Sequence, residues 1–196
     1  MEEKMFYKLI RFLAKLLFNI AFDIKIHNPE KFDSSSGRCI ICSNHISNLD
    51  PITVAISTKR QIHFMAKKEL FPNKLFSFVL TKLGAFPVDR EGISITSIKT
   101  AISVLNDDNI LGIFPEGTRV DGYNESNAKP GVAMIANKAN SNIIPIHIVG
   151  SYKFRGKINI YYGEEKNYFK NYSGKIRTEQ YTEIGKEILK DIYSLN

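Results

Sequence analysis

Apolar positions along this chain change period repeatedly, between the short runs and two-residue alternation of strands and the 3.6-residue recurrence of helices. Residues 3–22 read as one long apolar helix. A short strand over 23–27 follows, and Asn28-Pro29 turns the chain. After the loop Ser34-Ser35-Ser36-Gly37, residues 38–43, with the apolar run Cys39-Ile40-Ile41-Cys42 at their centre, predict a buried strand. The pattern then predicts a helix over 51–58, extended chain over 61–67 and a helix over 73–83, with Gly84 placed to cap it. A short strand over 85–89, a helix over 94–105 and a buried strand over 110–114 come next. Pro130 opens a helix over 130–139, as proline does at a first helical position. Strands over 143–149 and 157–162 and a last amphipathic helix over 179–193 complete the chain. Pro145 cannot donate to a sheet ladder, so its strand is expected at an edge or a bend.

Alternating strands and helices, with no internal repeat or low-complexity linker, predict a single α/β domain. Its centre is expected to be a mixed, partly parallel sheet flanked by helices, preceded by an N-terminal amphipathic helix. Ligands of such sheets usually sit beyond the carboxyl ends of strands, and the polar motifs below fall there.

The 196 residues are 43% hydrophobic and 24% charged, which excludes wholesale disorder. The net charge of +7 favours an anionic partner. Nucleic acid is not expected, because no basic tract interleaved with aromatics, helix-turn-helix signature or zinc finger is present. Cys39 and Cys42 form a C-x-x-C, but three residues along a strand the thiols point to opposite faces. They are read as core, compatible with a reducing cytosol, and no metal or cofactor is expected.

The first helix has a wider apolar face than docking on a core requires. At about 100° per residue, Lys4, Lys8, Arg11 and Lys15 share a stripe about 60° wide. Met5, Leu9, Phe12, Leu13, Leu16 and Leu17 help fill the rest. A bilayer span needs ~20 uninterrupted apolar residues, and the basic residues break up any such run or signal-peptide core. Residues 1–22 are therefore expected to be an amphipathic membrane-interface helix, with packing in an internal groove as the alternative.

Three segments carry candidate chemistry. In Asn44-His45-Ile46-Ser47-Asn48-Leu49-Asp50, the Asp50 carboxylate can fix the His45 tautomer and leave the other ring nitrogen as general base. Asp50 also precedes Pro51, the pattern of an N-cap. In Phe114-Pro115-Glu116-Gly117-Thr118-Arg119, Gly117 permits close backbone approach, Thr118 offers a hydroxyl and Arg119 a fork suited to phosphate. Glu116 is expected to orient an arginine or accept from a substrate hydroxyl. Gly84 through Arg90 is a further strand running into charge, with Arg90 a second phosphate ligand.

Together these stretches resemble the blocks of the glycerolipid acyltransferase family, typified by 1-acyl-sn-glycerol-3-phosphate acyltransferase. Asn44-His45 through Asp50 resembles its N-H-x4-D block, and Gly84–Arg90, Phe114–Arg119 and Ile143–Ile146 resemble the later three, in the same order. Val120 departs from the serine often found after the arginine. The resemblance implies that residues 23–196 are a catalytic domain of phospholipid biosynthesis. It would transfer a fatty acyl group from acyl-CoA or acyl-carrier protein to the hydroxyl of a lysophospholipid, giving phosphatidic acid from lysophosphatidic acid. It implies His45 and Asp50 as catalytic pair, with Arg90, Glu116, Gly117, Thr118 and Arg119 on the acceptor. Lys67, or backbone N–H groups near residue 88, would steady the thioester oxyanion. The protein would work as a peripheral enzyme on the cytoplasmic face of an anionic membrane. Two alternatives stay open: another lysolipid acceptor, and a non-catalytic module binding anionic lipid, for which His45 would be dispensable.

Overall fold

The structure is a computed structural model that describes residues 2–33, 35, 37–88, 95–172 and 174–196, with side chains from residue 5 onward. Ser34, Ser36, Asp89, Arg90, Ser94 and the Lys4 side chain lie outside the described residues. Helix α1 (Glu2–Ala21) leads into β1 (Asp23–His27), a four-residue helix α2 (Glu30–Asp33) and β2 (Cys39–Ser43). Then come α3 (Asp50–Ser57), β3 (Ile62–Lys67), α4 (Lys74–Lys82), β4 (Phe86–Val88), α5 (Ile95–Asn106) and β5 (Ile110–Ile113). The chain ends through α6 (Gly131–Lys138), β6 (Ile143–Gly150), β7 (Lys157–Tyr162) and α7 (Thr178–Tyr193). The hydrophobic pattern anticipates these elements except α2 and two single 3-10 turns, Lys68–Leu70 and Glu125–Asn127. Those pieces are too short to show a period. Gly84 ends α4 as expected, at φ 89°, with its N–H on the Thr81 carbonyl and the Ala85 N–H on the Leu80 carbonyl.

One seven-stranded sheet runs in the order β1-β7-β6-β2-β5-β3-β4. Strands β6, β2, β5, β3 and β4 are mutually parallel. β7 is antiparallel to β6, and β1 follows β7. The sheet is therefore mixed and partly parallel, and five strands release their loops at one edge. Every residue of central β2 is buried, because both faces of the sheet are covered. Cys42 packs on one face with Leu111, Ala133, Ile184 and Ile188, under α5, α6 and α7. Cys39 packs on the other with Phe32, Ile41, Val54 and Ile144. Both thiols are free and point to opposite faces.

Pro145 does not mark an edge. β6 lies between β2 and β7, with Pro145 beside Cys42. The Pro145 carbonyl accepts from the Gly163 N–H at 2.8 Å, so its ring nitrogen also faces the β7 side. There the regular ladder begins only at Ile146 opposite Tyr162, and no bond of that ladder needs a Pro145 donor.

Helix α1 is both docked and open. Tyr7 is buried and Phe18 packs edge-on against Phe22. Arg11, expected in the outward basic stripe, turns inward instead. It donates to the Ala55 and Ile56 carbonyls at 3.2 Å each, where a cation suits the carboxyl end of α3. Across the helix, Met5, Leu9, Phe12, Leu13, Leu16, Leu17 and Ile20 are exposed. Among the described residues no helix is long and apolar enough to cross a membrane.

Gly112 in β5 lies under the Phe64 ring; a Cβ there would meet Phe64 Cε1 at 2.3 Å and Ile62 Cγ2 at 2.9 Å. Gly112→Ala is expected to lower unfolding free energy by about 1–3 kcal/mol, the usual cost of overpacking, measured by urea denaturation. An unchanged midpoint would show that the ring is free to move aside.

Candidate active site

Loops leaving the carboxyl ends of β2, β5 and β6 meet at one edge of the sheet. Asn44, buried just beyond β2, binds β6 twice. Its amide nitrogen donates to the Ile148 carbonyl at 2.9 Å and its oxygen accepts the Ile148 N–H at 2.8 Å. The next residue, His45, is 5% exposed. Its backbone is fixed to the β5 loop from both sides: the N–H donates to Glu116 Oε2 at 2.8 Å, and the carbonyl accepts the Val120 N–H at 2.8 Å.

The His45 side chain is set by Asp50, which has no exposed surface. Asp50 Oδ2 is 2.8 Å from His45 Nδ1 and accepts the Ile46 and Ser47 N–H groups at 2.7 Å each. Oδ1 accepts from the Tyr152 hydroxyl at 2.7 Å. An oxygen already taking two backbone donors acts as an acceptor, so Nδ1 carries the proton toward it and Nε2 keeps its lone pair. Nε2 has no hydrogen-bond partner among the described residues. Burial, then the Asp50 charge, push the Tyr152 hydroxyl pKa up, so it remains a donor. Asp50 does not cap α3. The N-cap is Leu49, without a side-chain bond, and the carboxylate instead folds back onto the loop before it.

The His45 ring stacks on Phe114 with centroids 4.2 Å apart, and Phe114 stacks on Phe64 at 6.0 Å. Glu116, expected to face an arginine or a substrate hydroxyl, is buried with both oxygens occupied. Oε2 takes the His45 N–H, and Oε1 accepts from the Tyr193 hydroxyl at 2.8 Å. Burial pushes its carboxyl pKa up, and these two bonds oppose that shift. The Tyr193 ring lies 5.0 Å from His147. Neither Tyr152 nor Tyr193 is marked in the sequence, since they stand 102 and 77 residues from their carboxylates.

Around this pair the remaining candidates spread outward. Gly117 turns the chain at φ 70°, and Gly117, Thr118 and Arg119 are exposed beyond β5. Lys67 ends β3 at the same edge and is also exposed. Arg90 lies outside the described residues, just past β4. Neighbouring nucleophiles are poorly placed. Cys42 is buried, which pushes its thiol pKa well above the ordinary value, and the Ser43 hydroxyl is buried against the Asn44 carbonyl.

A mixed α/β sheet with a buried imidazole–carboxylate pair at the carboxyl ends of its parallel strands defines a protein equipped to move a proton at one edge. The acyltransferase family profile matches residues 23–149, and the chain belongs to that family. It is 39% identical over 140 residues to the 1-acyl-sn-glycerol-3-phosphate acyltransferase of Bacillus subtilis, covering 71% of this chain and 69% of the relative. The Streptococcus pneumoniae protein of the same name is 37% identical over 159 residues, 80% of this chain and 59% of the relative. The chain thus spans between about half and two thirds of the length of several such relatives. The crystal structure of the 1-acyl-sn-glycerophosphate acyltransferase from Thermotoga maritima shares the fold, with TM-score 0.73 at 23% identity over 96% of this chain and 78% of that one.

Glu116 supplies a test of its own. Glutamine can accept the His45 N–H through its oxygen and donate to the Tyr193 oxygen, so Glu116→Gln is expected to stay within about 1 kcal/mol of the parent in chemical denaturation. Glu116→Ala leaves two buried donors unmet and is expected to cost about 1–3 kcal/mol or more. Equal losses for both variants would mean that the charge itself, rather than the two bonds, is what the site needs.

Proposed function

We propose that this chain transfers a fatty acyl group from a thioester, on coenzyme A or acyl-carrier protein, to the free hydroxyl of 1-acyl-glycerol-3-phosphate, giving phosphatidic acid. The observation that carries the reading is the His45–Asp50 pair at the edge of the sheet, with Nδ1 held at 2.8 Å and Nε2 without a partner among the described residues. Family membership and the names of the relatives give the acyl chemistry and the acceptor.

In this mechanism Nε2 takes the proton of the acceptor hydroxyl as its oxygen attacks the thioester carbon. The Asp50 carboxylate stabilises the imidazolium that forms. The tetrahedral intermediate collapses, the C–S bond breaks, and His45 returns the proton to the departing thiolate. No acyl-enzyme is needed, which agrees with the burial of Cys42 and Ser43. Arg119 and Thr118, with the Gly117 turn, hold the phosphomonoester, and Arg90 adds a second fork. Glu116 contributes indirectly, by fixing the backbone of the base. Lys67 supplies positive charge for the donor's carbonyl oxygen.

The acceptor and product are bilayer lipids, so the catalytic domain, residues 23–196, works against a membrane surface. Residues 1–22 are its interfacial helix. The exposed apolar arc of α1, with Phe12 and Leu17 each 64% exposed, enters the acyl boundary, and exposed Lys8 and Lys15 lie near anionic headgroups. Arg11 is not part of that contact, being bonded to α3. Two free buried cysteines fit the reducing, cytoplasmic side.

Purified protein with acyl donor and lysophosphatidic acid, assayed for free thiol, tests the reaction. His45→Ala is expected to lower turnover by at least ~10²-fold without loss of fold. Near-normal turnover, or an acyl-enzyme trapped on Ser47, would sink the direct mechanism.

The acceptor site has a separate readout. Arg119→Ala is expected to raise KM for the phosphate-bearing acceptor while leaving KM for the donor unchanged, and Arg119→Lys should restore little because the planar fork is lost. A rise confined to the donor would reassign Arg119.

A further inference from the structure

Helix α4 is built unlike the other long helices of the catalytic body. Helices α3, α5, α6 and α7 each bury side chains in a core cluster, whereas none of the nine side chains of α4 is buried. Its outward surface is apolar: Leu75 is 75% exposed and Phe78 is 56% exposed, while the polar Ser77 is half-buried. Between α4 and the Lys68–Leu70 turn lies an open groove of about 670 Å³, walled mainly by Leu70, Pro72, Leu75, Phe76 and Val79. Water solvates such a surface poorly, and contiguous apolar patches rimmed by charge mark contact surfaces.

The charge around the patch selects the occupant. Lys74 and Lys82 sit at the two ends of α4, and Lys82 lies 5.8 Å above the Phe78 ring. From residue 67 to 82 the chain carries Lys67, Lys68, Lys74 and Lys82 against the single carboxylate Glu69. Apolar residues flanked by long cationic side chains suit an anionic lipid surface, where the rings enter the acyl boundary and the lysines reach headgroups. α4 also contacts α1, the helix that carries the exposed apolar arc. The turn before α4 begins where β3 ends, on the edge of the sheet that holds His45.

We propose that α4 and the Lys68–Leu70 turn form a second bilayer-contact element, which with α1 seats the His45 edge of the sheet on an anionic membrane. The proposal rests on the membrane reading of α1 given above. Two contacts fix an orientation where one helix fixes only a tether. With α4 in the interface, the mouth beside Lys67 lies at headgroup level, and a lysophospholipid reaches Nε2 without leaving the bilayer.

The chain contains no tryptophan, so a single introduced one reports on its own position. Phe12→Trp, Leu75→Trp, Phe78→Trp and, on the outer side of α7, Lys190→Trp are made in the full chain. Each is mixed with phosphatidylcholine–phosphatidylglycerol vesicles whose acyl chains are brominated. Quenching and a blue shift are expected at positions 12, 75 and 78, and neither at 190. Quenching at 12 without quenching at 75 and 78 overturns the proposal and leaves the α1 contact standing. No quenching at any of the three overturns both. A blue shift at 75 and 78 that depends on protein concentration without lipid assigns the patch to a second copy of the chain, and also overturns it. The double variant Leu75→Glu/Phe78→Glu changes only exposed positions, so folding is spared. It is expected to weaken vesicle binding at least ~10-fold, since two large apolar side chains no longer leave water on binding. Its turnover on detergent-dispersed acceptor is expected to stay at the parent level, and unchanged vesicle binding overturns the proposal.

Discussion

A carboxylate with no exposed surface must find its donors inside the protein, and Asp50 finds four. Two are backbone N–H groups of its own loop, at Ile46 and Ser47. They bend residues 45–50 into a closed turn and hold the oxygen where His45 Nδ1 meets it. The fourth, from Tyr152, ties that turn to the segment after β6. Remove the carboxylate and the turn, the imidazole tautomer and the Tyr152 contact all lose their common partner. A group that desolvated tolerates little movement in its neighbours, because every lost donor leaves charge uncompensated.

Glu116 repeats the arrangement one strand away. It spends one oxygen on the His45 backbone and the other on Tyr193 at the end of α7. His45 is thus held by its side chain through Asp50 and by its main chain through Glu116, while Phe114 covers the ring face. Loops from β2, β5 and β6 and the last helix converge on one imidazole. The exposed Thr118 and Arg119 lie just outside this rigid centre. The groups with the most internal hydrogen bonds are buried, whereas Thr118 and Arg119 remain in water.

The same division governs the first helix. One side of α1 is fastened by Tyr7 and by Arg11 on the α3 carbonyls, and the other is left apolar and uncovered. Because α3 begins at Asp50 and ends under Arg11, one eight-residue helix links the N-terminal helix to the His45 loop.

Much of this was legible in the chain alone. Periodicity is a local property, so among the described residues it located every long helix and every strand, and the strand alternating with helix announced the mixed sheet. The pairing of His45 with Asp50 was legible for the same reason: both lie in one short loop, and five residues are enough to close the turn. Tertiary structure decided whatever depended on elements far apart in sequence. It placed Pro145 inside the sheet, where the β7 ladder has not yet begun and a missing donor is harmless. It turned Arg11 from an expected headgroup ligand into a cap on α3, 44 residues away. It converted Glu116 from an expected substrate contact into a backbone support and supplied Tyr152 and Tyr193 as donors. A buried polar atom accepts whichever partner the packed chain brings within 3 Å or so, and which partner that is follows from the folded surfaces rather than from spacing along the sequence.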